Sequence, residues 1–148
     1  MKIEYRRARK EHHEWAYRLF RESMKDYIEA TWGWDEIFQR HGFMENIQQS
    51  GFTIARLRDD DIGGYCLKDR GRFLHLDILL IDPRWQNCGL GTMVMQDLIE
   101  QSRASGRPLQ LDVLKTNAGA LRLYRRLGFT TFDEDQARHR LRWLSNNR

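Results

Sequence analysis

The sequence predicts an α/β fold: a mixed, mostly antiparallel central sheet of about six to seven strands with helices on both faces. Three observations point to it. Residues 73–81, FLHLDILLI, are nearly all apolar, as expected of a central strand buried on both sides. A glycine-containing turn and a long amphipathic run follow, and then a second strand pattern at 109–115, LQLDVLK. Two strands joined through a helix are expected to lie parallel. Residues 52–69 read as two strands around the polar cluster Arg58-Asp59-Asp60-Asp61, which is an antiparallel hairpin pattern.

Each element has its own local reason. Residues 2–8 alternate Ile3 and Tyr5 with charged residues and read as a first strand. From about Lys10 to Thr31 the pattern is helical, with Trp15, Leu19, Ser23 and Tyr27 at i, i+4 and Ala16, Phe20, Met24 and Ile28 beside them. A break at Thr31-Trp32-Gly33-Trp34-Asp35 precedes a second helix, capped by Asp35 and carrying Ile37, Phe38, Phe43 and Ile47. His41-Gly42 is one place where it could end. The hairpin follows, and its Gly63-Gly64 pair suggests a bulge or a close backbone approach. In the strand at 73–81, period 2 places Leu74, Leu76, Ile78 and Leu80 on one face and Phe73, His75, Asp77, Leu79 and Ile81 on the other. The helix after Gly91 turns Met93, Val94 and Leu98 inward and stops at Ser105-Gly106. Thr116-Asn117 caps a short helix striped with Ala120, Tyr124 and Leu127 and stopped by Gly128. Residues 129–134 and 137–144 read as closing strands. The order is β-α-α-β-β-β-α-β-α-β-β.

At 148 residues, with 41% hydrophobic and 11% aromatic residues, a single domain over 1–148 is expected, large enough for a sizeable core. No apolar run approaches the roughly 20 residues of a membrane span, and the N-terminus lacks the apolar stretch of a secretory signal. A cytoplasmic protein with no membrane partner is therefore expected. Two cysteines, Cys66 and Cys88, make neither a disulfide framework nor a zinc site, so no metal is expected. The net charge of +4 admits an anionic partner without naming one. Zinc-finger spacing, heptads and RNA-recognition signatures are missing, so nucleic acid is not expected as a partner.

The chemistry concentrates in two motifs. Gln86-x-x-Gly89-x-Gly91 sits between a strand and a helix start, where backbone N–H groups from about Asn87 to Thr92 point at an anion. It lacks the Gly-Lys-Ser/Thr ending of a P-loop and the third glycine of a dinucleotide fingerprint. One strand later comes Asn117-x-x-Ala120-x-x-x-Tyr124-x-x-x-Gly128-Phe129. Taken on their residues alone, the first is also a tight turn, Asn117 a helix cap and Tyr124 a core aromatic.

Together, with the Asp82-Pro83 step before the first, these motifs resemble the GNAT N-acetyltransferase superfamily over roughly residues 70–130. The element order extends the likeness to the whole chain. The resemblance implies acetyl-CoA as co-substrate. It implies that the backbone of Leu79, Leu80 and Ile81 pairs with the pantetheine arm where that strand splays from its neighbour. Backbone amides of Gln86, Asn87, Cys88, Gly89, Leu90, Gly91 and Thr92 would hold the pyrophosphate. Asn117 would hydrogen-bond the pantetheine, Ala120 would lie beside it, and Tyr124 would protonate the departing thiolate. Where Cys88 stands, the family often has a basic residue; Arg84, Arg122, Arg125 and Arg126 are nearby alternatives for phosphate.

Aminolysis of a thioester also needs a base for the amine. Aligned on Gln86, His75 falls where some members of the superfamily carry a glutamate base, and its reference pKa near 6.5 suits the task. Asp77 is a second candidate, as base, as partner of His75 or as a seat for the ammonium; water is a third. Tyr27, Trp32, Trp34 and Glu36, around the junction of the early helices, are candidates for the acceptor site. The expected activity is direct acetyl transfer to a primary amine on a small molecule or peptide. A non-catalytic acyl-CoA-binding or regulatory module on the same fold is the alternative. A homodimer through edge strands or helices is compatible with so small a domain.

Overall fold

The computed structural model describes residues 2–145. Among these, seven strands and four helices follow the order the sequence predicts. They are β1 (Ile3–Arg7), α1 (His13–Trp32), α2 (Glu36–Ser50), β2 (Thr53–Leu57), β3 (Asp60–Asp69), β4 (Leu74–Ile81), α3 (Leu90–Ser105), β5 (Leu109–Leu114), α4 (Ala118–Arg126), β6 (Thr130–Glu134) and β7 (Arg138–Trp143). Short 3-10 turns at Lys10–His12 and Pro83–Trp85 lead into α1 and α3.

The strands form one open sheet in the order β1-β2-β3-β4-β5-β7-β6. Every neighbouring pair is antiparallel except β4 and β5, which are parallel, as a strand-helix-strand connection requires. On one face α3 buries Leu90, Val94, Met95, Leu98 and Ile99 against Leu74, Leu76, Leu109, Leu111 and Leu141. Each such leucine is worth about 2 kcal/mol of transfer free energy. α4 adds Ala120, Leu121, Tyr124 and Leu127 to the same cluster. On the other face α1 and α2 bury Ala16, Leu19, Phe20, Ile28, Phe43 and Ile47 against Ile54, Cys66, Leu80 and Leu114.

The Asp35 carboxylate caps α2 by accepting from Phe38 N–H at 3.1 Å. The helix does not end at His41-Gly42. Phe43 and Ile47 continue its buried stripe, and Gly51, with φ of 83°, terminates it. Ile37 and Phe38 lie on its outer side, 83% and 70% exposed. At Gly63-Gly64 the close approach expected from the sequence is present: a β-carbon on Gly63 would fall 2.1 Å from the Leu80 carbonyl oxygen.

The simple alternation predicted for β4 does not hold along its length. Cys66 of β3 pairs with Ile78 but Leu67 pairs with Leu76, so Asp77 is an extra residue facing no partner in β3. This is a β-bulge, and it resets which side chains point where. Leu74 and Leu76 join the α3 cluster, and so do Leu79 and Ile81 after the bulge. Ile78 and Leu80 lie in the α1/α2 cluster instead.

Candidate active site

The centre of the sheet is only partly closed. β4 and β5 pair at Leu74–Leu109, His75–Gln110 and Leu76–Leu111 and then separate. Beyond that point β4 runs on to Ile81 and β5 to Leu114 with no pairing between them. Leu79, Leu80 and Ile81 thus have β3 on one side and an opening on the other.

At the mouth of this opening the chain turns sharply. Asp82, itself buried, accepts from the Arg84 N–H at 2.9 Å and pairs with its guanidinium at 3.0 Å, which commits that arginine locally. The Arg84 guanidinium holds the Asp82 carboxyl below its usual range. The Gln86 side-chain amide donates to the Ile81 carbonyl at 2.9 Å and ties the turn to the end of β4. Asn87 (φ 64°) and Gly89 (φ 79°) take left-handed conformations that swing the backbone into α3. The first intrahelical bond runs from Met93 N–H to Gly89 C=O. Among the described residues, the N–H groups from Asn87 to Thr92 have no backbone partner, and helix geometry leaves the first-turn groups free for an external acceptor. Cys88 is exposed there, its thiol 3.5 Å from the Gln86 carbonyl oxygen.

α4 begins just beyond the end of β5, the strand on the other side of the opening. The Asn117 Oδ1 accepts from Ala120 N–H at 3.2 Å, capping the helix and leaving the Asn117 side-chain N–H groups to donate elsewhere. Tyr124 is half-buried on the inner stripe, its ring 5.7 Å from that of Phe129. Burial pushes its hydroxyl up to about 12, so it stays protonated across the ordinary pH range. Among the described residues no group hydrogen-bonds it.

His75 and Asp77 lie together on the α2 side of β4. The His75 Nδ1 is 3.8 Å from Asp77 Oδ1, an ion-pair separation rather than a hydrogen bond. Burial holds the imidazole below its ordinary pKa, while Asp112 and Asp77 pull it back up. Asp77 is also held by the side-chain amide of Asn46 on α2 and by Lys68 Nζ at 3.5 Å. Neither partner carries a signal in the sequence, because both reach Asp77 through tertiary contacts.

The acceptor candidates divide. Glu36 accepts from the Tyr17 hydroxyl, from Arg21 Nε at 2.8 Å and from Trp34 Nε1 at 2.9 Å. Those donors hold its carboxyl down to about 2. Glu36 and Trp34 are therefore a brace between the two early helices, with Trp34 against Phe20. The Tyr27 carbonyl accepts from the Thr31 and Thr116 hydroxyls at 2.7 and 3.0 Å, stitching α1 to the end of β5. Trp32 is 56% exposed, with the Arg138 guanidinium 4.9 Å above its ring. Together with Ile37 and Phe38 it gives this junction an apolar surface. Among the described residues no group of three His, Cys, Asp or Glu side chains could hold a metal ion.

Comparison with known proteins adds a family and a set of neighbours. The profile described as "Acetyltransferase (GNAT) family" matches residues 9–129. No curated protein matches the sequence. Among solved structures, PaiA N-acetyltransferase from Thermoplasma acidophilum in complex with coenzyme A superposes with a TM-score of 0.76 at 20% identity, covering 98% of this chain and 100% of that one. Apo-form YjaB from Escherichia coli gives 0.74 at 20% identity, over 98% of this chain and 99% of its own. A GNAT family acetyltransferase from Elizabethkingia anophelis with acetyl-CoA bound gives 0.69 at 15% identity, over 97% and 98%. At these identities the likeness establishes the shared fold.

Proposed function

The chain belongs to the acetyltransferase (GNAT) family, and from that premise we propose that it transfers an acetyl group from acetyl-CoA directly to a primary amine of a small molecule or peptide. The observation that carries this reading is the opening between β4 and β5, flanked on one side by the free N–H groups of 87–92 and on the other by Asn117 and Tyr124.

Acetyl-CoA would supply the activated acetyl carbon and a thiolate leaving group. The residues present suit it. Leu79, Leu80 and Ile81 lie along an edge that no strand pairs, with the Ile81 carbonyl taken by the Gln86 side chain, an edge suited to the amides of a pantetheine arm. The turn from Asn87 to Thr92 offers several N–H donors to a pyrophosphate at the start of a long helix, while the Gln86 N–H is spent on the Pro83 carbonyl at 3.3 Å. Asn117, already committed through its oxygen, donates from its nitrogen, and Ala120 lines the same side. Tyr124 holds the proton that goes to sulfur. A backbone N–H near Leu80 stabilises charge on the carbonyl oxygen.

On the acceptor side His75 takes the proton of the amine. Its depressed pKa keeps it neutral, and so able to accept, at neutral pH. Asp77 sits beside it as partner or as seat for the ammonium. Tyr27, Trp32, Trp34 and Glu36 frame the approach, with Trp32 presenting the accessible surface and Glu36 fixing the frame. Cys88 is outside the chemistry, since the phosphates would lie over it. Acetyl-CoA is a cytosolic metabolite in this reading, and the cytoplasm is the place of work. No described helix is long and apolar enough to cross a membrane.

The test is release of free CoA from acetyl-CoA over a panel of polyamines, amino acids, aminoglycosides, peptide N-termini and lysine peptides. Turnover with one class identifies the acceptor. Tight acetyl-CoA binding with no turnover on any amine would favour the non-catalytic acyl-CoA-binding module instead.

A further inference from the structure

Away from the acetyl-transfer centre, a cleft of about 430 Å³ opens between β1, the start of α1 and the end of α2. Arg7, Lys10, His13 and Gln48 form its polar wall; Ile47 and Phe52 lie behind it, each only 1% exposed. No acidic residue lines it. The volume falls within the usual range of small-molecule sites, about 300–1,000 Å³.

The charges in this cleft are unspent. Among the described residues, the Arg7 guanidinium, the Lys10 ammonium and the His13 ring make no hydrogen bond or ion pair. Other arginines nearby are committed: Arg6 and Arg56 to Asp61 at 3.2 and 2.8 Å, Arg40 to Glu14. The Arg7 guanidinium also has a built seat. It lies against Gly51, where a β-carbon would fall 2.2 Å from Nη2 and displace it. The chain beside it is pinned as well, since Arg9 N–H donates to His12 Nδ1 at 2.9 Å and Ala8 N–H to the Phe52 carbonyl at 2.8 Å. Unpaired cations gathered around one cleft, with no carboxylate among them, are matched by a small anion.

The site is remote from the chemistry. Arg7 pairs with Thr53, Thr53 with Tyr65, and Tyr65 with Leu79. Three strand spacings put it about 14 Å from the β4 opening, too far for a ligand here to meet the thioester.

We propose that this cleft is a second binding site, for a small anion, a carboxylate or a phosphate, held by Arg7 and Lys10. The proposal does not depend on the acetyl-transfer reading. It is tested by titrating the 15N-labelled full chain with phenyl phosphate, benzoate and inorganic phosphate while following backbone amides. Saturating shifts at Gln48, Gly51 and Phe52 are expected, and the tighter of the two aromatic probes assigns the head group. Arg7→Gln should weaken binding about tenfold, and Lys10→Gln, on an exposed 3-10 turn, should weaken it severalfold without disturbing the rest of the spectrum. Arg72→Gln, which removes the same charge elsewhere, should leave it unchanged. The proposal is overturned if no shifts develop, if both cleft variants bind as wild type does, or if the shifts are confined to residues 87–92.

Discussion

The side-chain amide of Asn46 on α2 hydrogen-bonds the Asp77 carboxylate at the bulge of β4. The two are 31 residues apart, and the contact fixes a helix to the one residue of β4 that has no partner in β3. Asn46→Ala should cost about 1 kcal/mol of stability, because the carboxylate loses a charged hydrogen bond but keeps Lys68. Turnover should fall severalfold as Asp77 loosens beside His75. Asn46→Asp should be worse on both counts, since it sets two carboxylates together. Urea unfolding and steady-state kinetics measure the two effects. Unchanged values in both variants would remove Asn46 from the site.

Tyr124→Phe should lower kcat by about 100-fold or more, the usual contribution of a general acid, while leaving the dissociation constant for CoA within about twofold, since the ring still packs on Phe129. CoA-release assays and calorimetry separate these quantities. A parallel loss of CoA affinity would show that the hydroxyl binds rather than donates a proton.

The pH dependence follows from the lowered pKa of His75. The base is lost as the ring protonates, so kcat/KM should fall on the acid side with a midpoint below 6.5, the ordinary value. His75→Ala should lack that limb. The same shift affects stability. Between the depressed folded pKa and 6.5 the unfolded chain binds a proton that the folded chain does not, so stability should decline as pH falls through this window. His75→Ala should remove that part of the slope in denaturant melts.

Two glycines of the turn should respond in opposite ways. Gly89 has φ of 79° with open space around it, so Gly89→Ala should cost about 1 kcal/mol through backbone strain alone. Gly91 is helical, and a methyl there would make only an ordinary contact with Ile81 at 3.6 Å. Gly91→Ala should therefore keep or slightly raise the melting temperature yet weaken CoA binding about tenfold, by intruding where phosphate approaches the backbone. Equal CoA affinity in Gly91→Ala and wild type would place the phosphates elsewhere.

Cys88→Ala should retain kcat, because direct transfer makes no covalent use of the thiol. A loss of about 100-fold, with an acetylated Cys88 trapped in the wild type, would instead indicate a relay through the cysteine.

The elements were legible in the sequence because each carries a local signature: period 2 in β1, the polar turn between β2 and β3, the capped stripe of α4. The cofactor half of the site is equally local, for its N–H groups and Asn117 lie at helix starts. The bulge at Asp77 was not legible, since a strict alternation reads just as well through FLHLDILLI and only the partner strand shows the extra residue. Nor was the exposure of Ile37 and Phe38, which follows from which side of α2 meets Phe20 and Tyr17. Glu36 reads from the sequence as an acceptor-site residue; its three donors come from Tyr17, Arg21 and Trp34, brought together only when α2 folds back on α1.

Only three residue pairs join β4 to β5, the one seam where the two halves of the sheet meet. On one side stand β1 to β4, and on the other β5, β7 and β6. A ligand that laid its amides along Leu79 to Ile81 would work as a staple across that seam, supplying rungs the protein's own ladder omits. The free protein would then be weakest where its substrate is strongest, and saturation with acetyl-CoA should slow hydrogen exchange on both strands at once, not only on the residues it touches.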